Sequence, residues 1–192
     1  MRHHGHGQRG ASPPNDEVRR QWQDPDAVLF SIGLRAGHTF VDLGCGRGFF
    51  ALPAAARVGE RGHVFGVDIN AEAIATLVEA AKEQRLGNLT GLVGEAETTQ
   101  VCDGCADVVF IGIALHDFRD PVQALRNAKG MLKPGGRLVN LDWKKQETPY
   151  GPPQEIRFDE AKAVSLIEQA GLRVTEVRNS GVYHYTVTAE RG

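Results

Sequence analysis

Val41-Asp42-Leu43-Gly44-Cys45-Gly46-Arg47-Gly48 decides how this 192-residue chain is read. A strand-forming run from Thr39 to Leu43 carries an acid near its end and passes at once into three glycines at alternate positions. Glycine has no Cβ, so such a turn leaves bare backbone beside anything that binds there. The helix predicted next, running through Arg57, aims its free N–H groups at the same point. Pro53 falls inside that helix and either kinks it or marks its first turn. Glycine-rich turns also close strand-to-helix junctions that hold nothing, so a second element is needed. Asp68 supplies it. It ends the next predicted strand, His63 to Val67, twenty-four residues after Gly44, where a carboxylate can accept hydrogen bonds from both hydroxyls of a ribose.

Outward from this segment, strands and helices alternate. A helix is predicted from Asp24-Pro25, a capping oxygen followed by proline, with Val28, Leu29 and Ile32 on it and Gly33 at its end. Asn70 caps a helix whose Ile74, Leu77, Val78 and Ala81 form one apolar face. Strands follow at Leu89 to Val93 and Asp107 to Ile113. Asp120-Pro121 opens another helix with Val122, Leu125 and Leu132 in its buried stripe. Pro134-Gly135-Gly136 is expected to stop it and turn the chain into a strand from Arg137 to Leu141. After a loop at Thr148 to Pro153, Asp159 caps a last helix, with Val164 and Ile167 facing inward and Gly171 at its end. Two strands, Arg173 to Arg178 and Val182 to Thr188, close the chain as an antiparallel pair. The pattern is that of an α/β fold, a mainly parallel sheet covered on both faces. One domain over 16–192 is expected, behind a disordered tail over 1–15.

Composition narrows the function. A net charge of −2 gives no basic footprint for nucleic acid. The best apolar run, Val108 to Leu115, is too short to cross a bilayer. His3, His4 and His6 lie in a tail that reads as a native leader or an expression remnant, without the apolar segment of a secretory signal. Three cysteines, Cys45, Cys102 and Cys105, are too few for a disulfide scaffold and fit a reducing cytoplasm. Cys102 and Cys105 are expected as unpaired thiols, and no metal site is expected.

The chain resembles the class I S-adenosylmethionine-dependent methyltransferases, nearest to the small-molecule branch that includes the quinone-biosynthesis enzymes. Asp42-x-Gly44-x-Gly46-x-Gly48 looks like that family's first motif and Asp68 like its ribose-binding acid. Gly94-Glu95-Ala96-Glu97 resembles the segment that meets the adenine, and Leu132-Lys133-Pro134-Gly135-Gly136-Arg137-Leu138 the turn into strand five. The resemblance implies a Rossmann-like seven-stranded mixed sheet in the order 3-2-1-4-5-7-6, with strand seven antiparallel. It implies that Asp42 and the backbone at Gly44, Cys45, Gly46 and Gly48 hold the methionine end of the cofactor. Asp68 would hold the ribose and Ile69 would pack on the adenine, with Glu95 and the Ala96 backbone at its edge. Glu95 departs from the family, where aspartate is commoner. The partner implied is a small-molecule substrate, with no nucleic acid and no membrane, and a homodimer left open.

Ligands of open α/β sheets gather outside the carboxyl ends of the strands, so the acceptor is expected beside Ala114-Leu115-His116-Asp117-Phe118. His116 titrates in the right range for a general base, and Asp117 is expected to orient it or to hold a substrate amine. Further pocket candidates are Arg19, Arg20 and Trp22, then Trp143, Lys144 and Tyr150, and Tyr183-His184-Tyr185. Two alternatives stand. One is a non-catalytic module binding S-adenosylmethionine or S-adenosylhomocysteine. The other is a NAD-dependent oxidoreductase; the third place of its G-x-G-x-x-G pattern is Phe49 counted from Gly44 and Ala51 counted from Gly46.

Overall fold

A computed structural model describes residues 16–192; the tail expected over 1–15 lies outside them. The elements are α1 (Asp16–Arg20), α2 (Pro25–Ser31), β1 (Thr39–Leu43), α3 (Ala51–Val58), β2 (His63–Asp68), α4 (Ala71–Glu83) and β3 (Leu89–Val93). They continue through β4 (Ala106–Gly112), α5 (Pro121–Met131), β5 (Leu132–Trp143), α6 (Glu160–Gln169), β6 (Leu172–Ser180) and β7 (His184–Arg191). One seven-stranded sheet runs β3-β2-β1-β4-β5-β7-β6. Strands β1 to β5 pair in parallel, and β7 is antiparallel to both β5 and β6. The expected order and the single reversed strand are both present. Among the described residues no helix is long and apolar enough to cross a membrane.

Side chains alternate across the central strands, so each strand feeds two cores. Val41, Val109 and Ile111 join α5 and α6 on one face, through Leu125, Ala128, Ala163 and Ile167. Phe40, Val108 and Phe110 join α2, α3 and α4 on the other, through Leu29, Ala54, Ile74 and Leu77. The predicted caps do their work: Asp24 accepts from the amides of Asp26 and Ala27, Asn70 from Glu72 and Ala73, Asp120 from Gln123, and Asp159 from Lys162. Pro53 sits in the first turn of α3, where its missing N–H costs no intrahelical bond.

Several expectations are corrected. Helix α5 stops at Met131, because Leu132 is already extended and Lys133 precedes a proline, which disfavours helical backbone there. Pro134-Gly135-Gly136 is instead a bulge inside β5: Ala106 pairs with Leu132, and Val108 next with Arg137. A Cβ on Gly136 would lie 2.5 Å from the carbonyl oxygen of Ala106. Strand β5 runs on to Trp143 because β7 pairs with it to that point. Strand β4 ends one residue early, since Ile113 has φ +61 and leaves the sheet. Finally, Cys102 and Cys105 form a disulfide, with Gly104 at φ +59 folding the segment so that their Cα atoms lie 5.9 Å apart. A count of free thiols is therefore no guide to compartment.

Leu77 is the inward knob of α4, fully buried and packed where Gly48 and Gly66 have no side chains. Leu77→Ala is expected to lower unfolding free energy by about 2–5 kcal/mol. Urea titration checks this, and a loss below about 1 kcal/mol would show that the neighbouring side chains collapse into the space.

Candidate functional site

The β1–α3 turn lies against the tip of β2. Gly44 and Cys45 donate to the Val67 carbonyl at 2.8 and 3.1 Å, and the Gly46 amide donates to Asp68 Oδ2 at 2.8 Å. The other oxygen of Asp68 accepts from the Asn70 amide at 2.9 Å. Asp68 is thus oriented by two backbone donors, while its carboxylate keeps lone pairs for hydroxyl donors. The glycines are required here. Gly44 has φ +78, and a Cβ on it would lie 2.6 Å from that of Ala114. Gly46 has φ +53 and faces open space, so the turn offers room beside the Asp68 carboxylate.

Asp42 stands beneath this turn, 1% exposed, and its Oδ2 has no hydrogen-bond partner. Burial first, then the charge of Asp68, push its carboxyl up to about 7, against the pull of Arg19. Arg19 comes from α1 and sets its guanidinium 3.8 Å over the Phe49 ring. Its own pKa is lowered to about 10 by burial, against the charges of Asp16 and Asp42. A buried acid with an open oxygen, facing a cation, suits a ligand that carries both an amine and a carboxylate.

The remaining predicted residues divide. Ile69 is 70% exposed at the end of β2, an apolar surface ready to be covered. The Gly94 amide donates to the Asp68 carbonyl at 3.0 Å, which brings Glu95 and Ala96 to the same edge. Asn127 of α5 holds that segment through the carbonyls of Ala96 and Thr99, at 2.8 and 2.9 Å. Cys45 turns its side chain into the core against Gly66, and burial pushes its thiol up. Only its backbone fronts the site.

Beyond the tip of β4, where the acceptor is expected, Ile113 is a β-branched residue in left-handed backbone, a strained conformation for its type. It turns the chain into a short 3-10 turn, Leu115–Asp117. His116 is drawn inward: its side chain is 2% exposed and its Nδ1 lies 2.9 and 3.0 Å from the two oxygens of Asp142. Asp142 is fully buried near the end of β5, and the Trp143 amide also donates to it at 2.8 Å. Burial alone lowers the pKa of His116, but the hydrogen bond and charge of Asp142, with Asp117, outweigh it and leave it raised. Asp117, expected as the orienting acid, lies 3.7 Å from Nε2 with its side chain largely exposed. Sequence reading missed Asp142. Its signal was an acid in the apolar run Val139-Asn140-Leu141-Asp142-Trp143, on the strand that pairs with β4.

Strand alternation sends Trp143 to the opposite face from Asp142. There it packs with Trp22 and His184, at ring separations of 5.2 and 4.2 Å, while Tyr150 stacks on Trp22 at 6.0 Å. His184 is held neutral, its pKa lowered to about 3 by burial and then by Arg19, Arg157 and Lys144. Arg157 donates to the carbonyls of Lys144, Gln146, Tyr150 and Pro152 and so clamps the loop after β5. This cluster holds Trp22, just after α1, against the end of β5, while Arg19 of α1 lies over Phe49 beside the glycine turn. Two clefts of about 410 and 450 Å³ lie at the far end of the sheet, around Arg85, Leu86 and Gly87, away from these groups.

An acid whose pKa is raised on folding makes the fold less stable as pH climbs from its unfolded to its folded value. The stability of the wild type relative to Asp42→Asn is therefore expected to fall between pH 4 and 7, by at most about 4 kcal/mol. Urea unfolding across that range measures it, and a flat difference would mean that Asp42 ionises at an ordinary pH.

A family profile described as a methyltransferase domain matches residues 34–179. The ubiquinone/menaquinone biosynthesis C-methyltransferase of Pseudoalteromonas translucida is 35% identical over 137 residues, covering 68% of this chain and 51% of that protein. The protein of the same name from Vibrio vulnificus is 33% identical over 175 residues, covering 91% of this chain and 64% of its own. The chain thus spans about half to two thirds of the length of these relatives. The crystal structure of an S-adenosylmethionine-dependent methyltransferase from Aquifex aeolicus superposes with a TM-score of 0.85 at 32% identity, covering 90% of this chain and 92% of that one.

Proposed function

This chain belongs to the S-adenosylmethionine-dependent methyltransferase family, and on that premise we propose that it transfers a methyl group from S-adenosylmethionine to a small-molecule acceptor. One observation carries the reading: the hydrogen bond from Gly46 to Asp68 sets a ribose-type carboxylate beside a glycine turn with an unpartnered buried acid beneath it. When bound, S-adenosylmethionine supplies a methyl group on a positively charged sulfur.

The chain's own groups bind and orient. Asp42 and the Gly44 backbone hold the amine of the methionine end, and Arg19 meets its carboxylate. The backbone of Cys45, Gly46 and Gly48 gives that end room. Asp68 takes the ribose hydroxyls, Ile69 covers one face of the adenine, and Glu95 with the Ala96 amide meets its edge. His116 borders the acceptor and serves as its base. The aromatic cluster around Trp22 keeps water from the turn. Aligning two reactants in this way accounts for up to roughly 7–11 kcal/mol of barrier reduction. Relatives named for ubiquinone and menaquinone biosynthesis support a small acceptor over a macromolecule.

Calorimetry is expected to show S-adenosylhomocysteine binding to the wild type and at least about tenfold weaker binding to Asp68→Ala, which loses charge-assisted hydrogen bonds. S-adenosylhomocysteine, and not NAD, is expected to raise the melting temperature, since a ligand stabilises only the state it binds. A shift with NAD alone would replace methyl transfer by hydride transfer.

A further inference from the structure

We propose that Asp142 is a positioning residue that makes His116 a proton acceptor, and that the acceptor substrate is consequently one that sheds a proton, an aromatic or enolic hydroxyl rather than a proton-free sulfur or tertiary nitrogen. The inference rests on the methyl-transfer reading above and names the substrate class of that site.

The imidazole of His116 is fixed in direction. Nδ1 lies within hydrogen-bond distance of both oxygens of a carboxylate that is itself wholly buried and fixed by the Trp143 amide. An ionised carboxylate only accepts, so the proton of a neutral His116 resides on Nδ1 and the lone pair on Nε2. Nε2 points away from the core, toward the exposed side chain of Asp117. A histidine needed only for packing would not require a buried carboxylate, which is costly to desolvate without a charged partner. The charge that Asp142 brings becomes useful when His116 turns cationic.

The surroundings agree. The charged and titratable groups facing the pair are Asp142 from β5, Asp117 from its own turn and Arg157 from the segment before α6. Tyr185 of β7 stands opposite Asp142 and donates its hydroxyl to the Phe158 carbonyl, and burial keeps its proton in place. Two anions against one cation, which is itself engaged with loop carbonyls, favour protonated His116.

In the step, the hydroxyl proton of the acceptor passes to Nε2. The electron pair released, on oxygen or on a conjugated carbon, forms the new bond to the methyl carbon. The carbon–sulfur bond breaks, with its pair left on sulfur. One proton leaves the acceptor and stays on His116 until solvent takes it. A thioether or tertiary amine has no proton to give, and for such an acceptor the pair would contribute nothing.

The test has two arms. In ¹⁵N-histidine NMR of the protein, both free and with S-adenosylhomocysteine added, His116 is expected to titrate above 6.5 and to show the Nδ1–H tautomer when neutral. Asp142→Asn should lower the midpoint by about one pH unit or more and mix the tautomers, and Asp117→Asn should lower it less. In the second arm, labelled methyl transfer is followed to catechol and to dimethyl sulfide. Transfer to catechol should rise with pH as His116 loses its proton and fall about 100-fold or more in His116→Gln. In Asp142→Asn its acidic limb should move to lower pH, with kcat reduced and KM nearly unchanged. Dimethyl sulfide should be no better a substrate for the wild type than for His116→Gln. An Nε2–H tautomer in the wild type overturns the proposal without any variant having to fold. So does a pH profile unmoved in Asp142→Asn, or transfer to dimethyl sulfide that depends on His116. Failure to bind S-adenosylhomocysteine overturns the methyl-transfer reading, and with it the substrate class, while the titration still decides the pair.

Discussion

Three hydrogen bonds join the turn after β1 to the tip of β2: Gly44 and Cys45 donate to the Val67 carbonyl, and the Gly46 amide donates to the carboxylate of Asp68. Parallel strands leave their carboxyl ends open, and what stands there is settled by the connections that follow them. Here the first connection is glycine and the second strand ends in an acid, so the two tips meet through backbone. The Gly94 amide then reaches the Asp68 carbonyl and draws a third connection to the same place. Each cofactor contact proposed for this chain depends on that junction. Side chains on Gly44 or Gly48 would collide with Ala114 or Leu77 and push the turn away.

Around this junction the molecule uses its two faces differently. The face that carries α5 and α6 holds the hydrogen-bonded pair of His116 and Asp142, set with Asn140 in a mainly apolar layer. The face that carries α2, α3 and α4 holds the rings of Trp22, Trp143 and His184. The same alternation within β5 sends Asp142 one way and Trp143 the other. Adjacent residues thus join a hydrogen-bonded histidine–carboxylate pair and an aromatic cluster.

Most of the fold was legible in the sequence because its signals are local. Capping side chains at Asp24, Asn70, Asp120 and Asp159 and the apolar stripes of α4 and α6 each decide an element within a few residues. The glycine turn and Asp68 were legible for the same reason. Asp142 was not, since its partner lies twenty-six residues earlier and meets it only through the parallel pairing of β4 with β5. The nearer acid, Asp117, drew the inference because adjacency in sequence was the only adjacency visible. Pro134-Gly135-Gly136 misled for a related reason. The same residue types end helices and make bulges, and only the register against Ala106 and Val108 separates the two. The bond between Cys102 and Cys105 needed the left-handed backbone of Gly104, which composition does not reveal.

The near-neutral ionisation of Asp42 has a consequence for how the turn fills and empties. Under the proposed binding, a cationic amine settling on that carboxyl would need it ionised, so in mildly acidic surroundings the arriving ligand would displace a proton as well as water. Ligand and proton then compete for one oxygen. With an amine bound as proposed, acidification would discharge the pocket and alkalinity would load it, which ties the depth of a single side chain to the medium around the molecule.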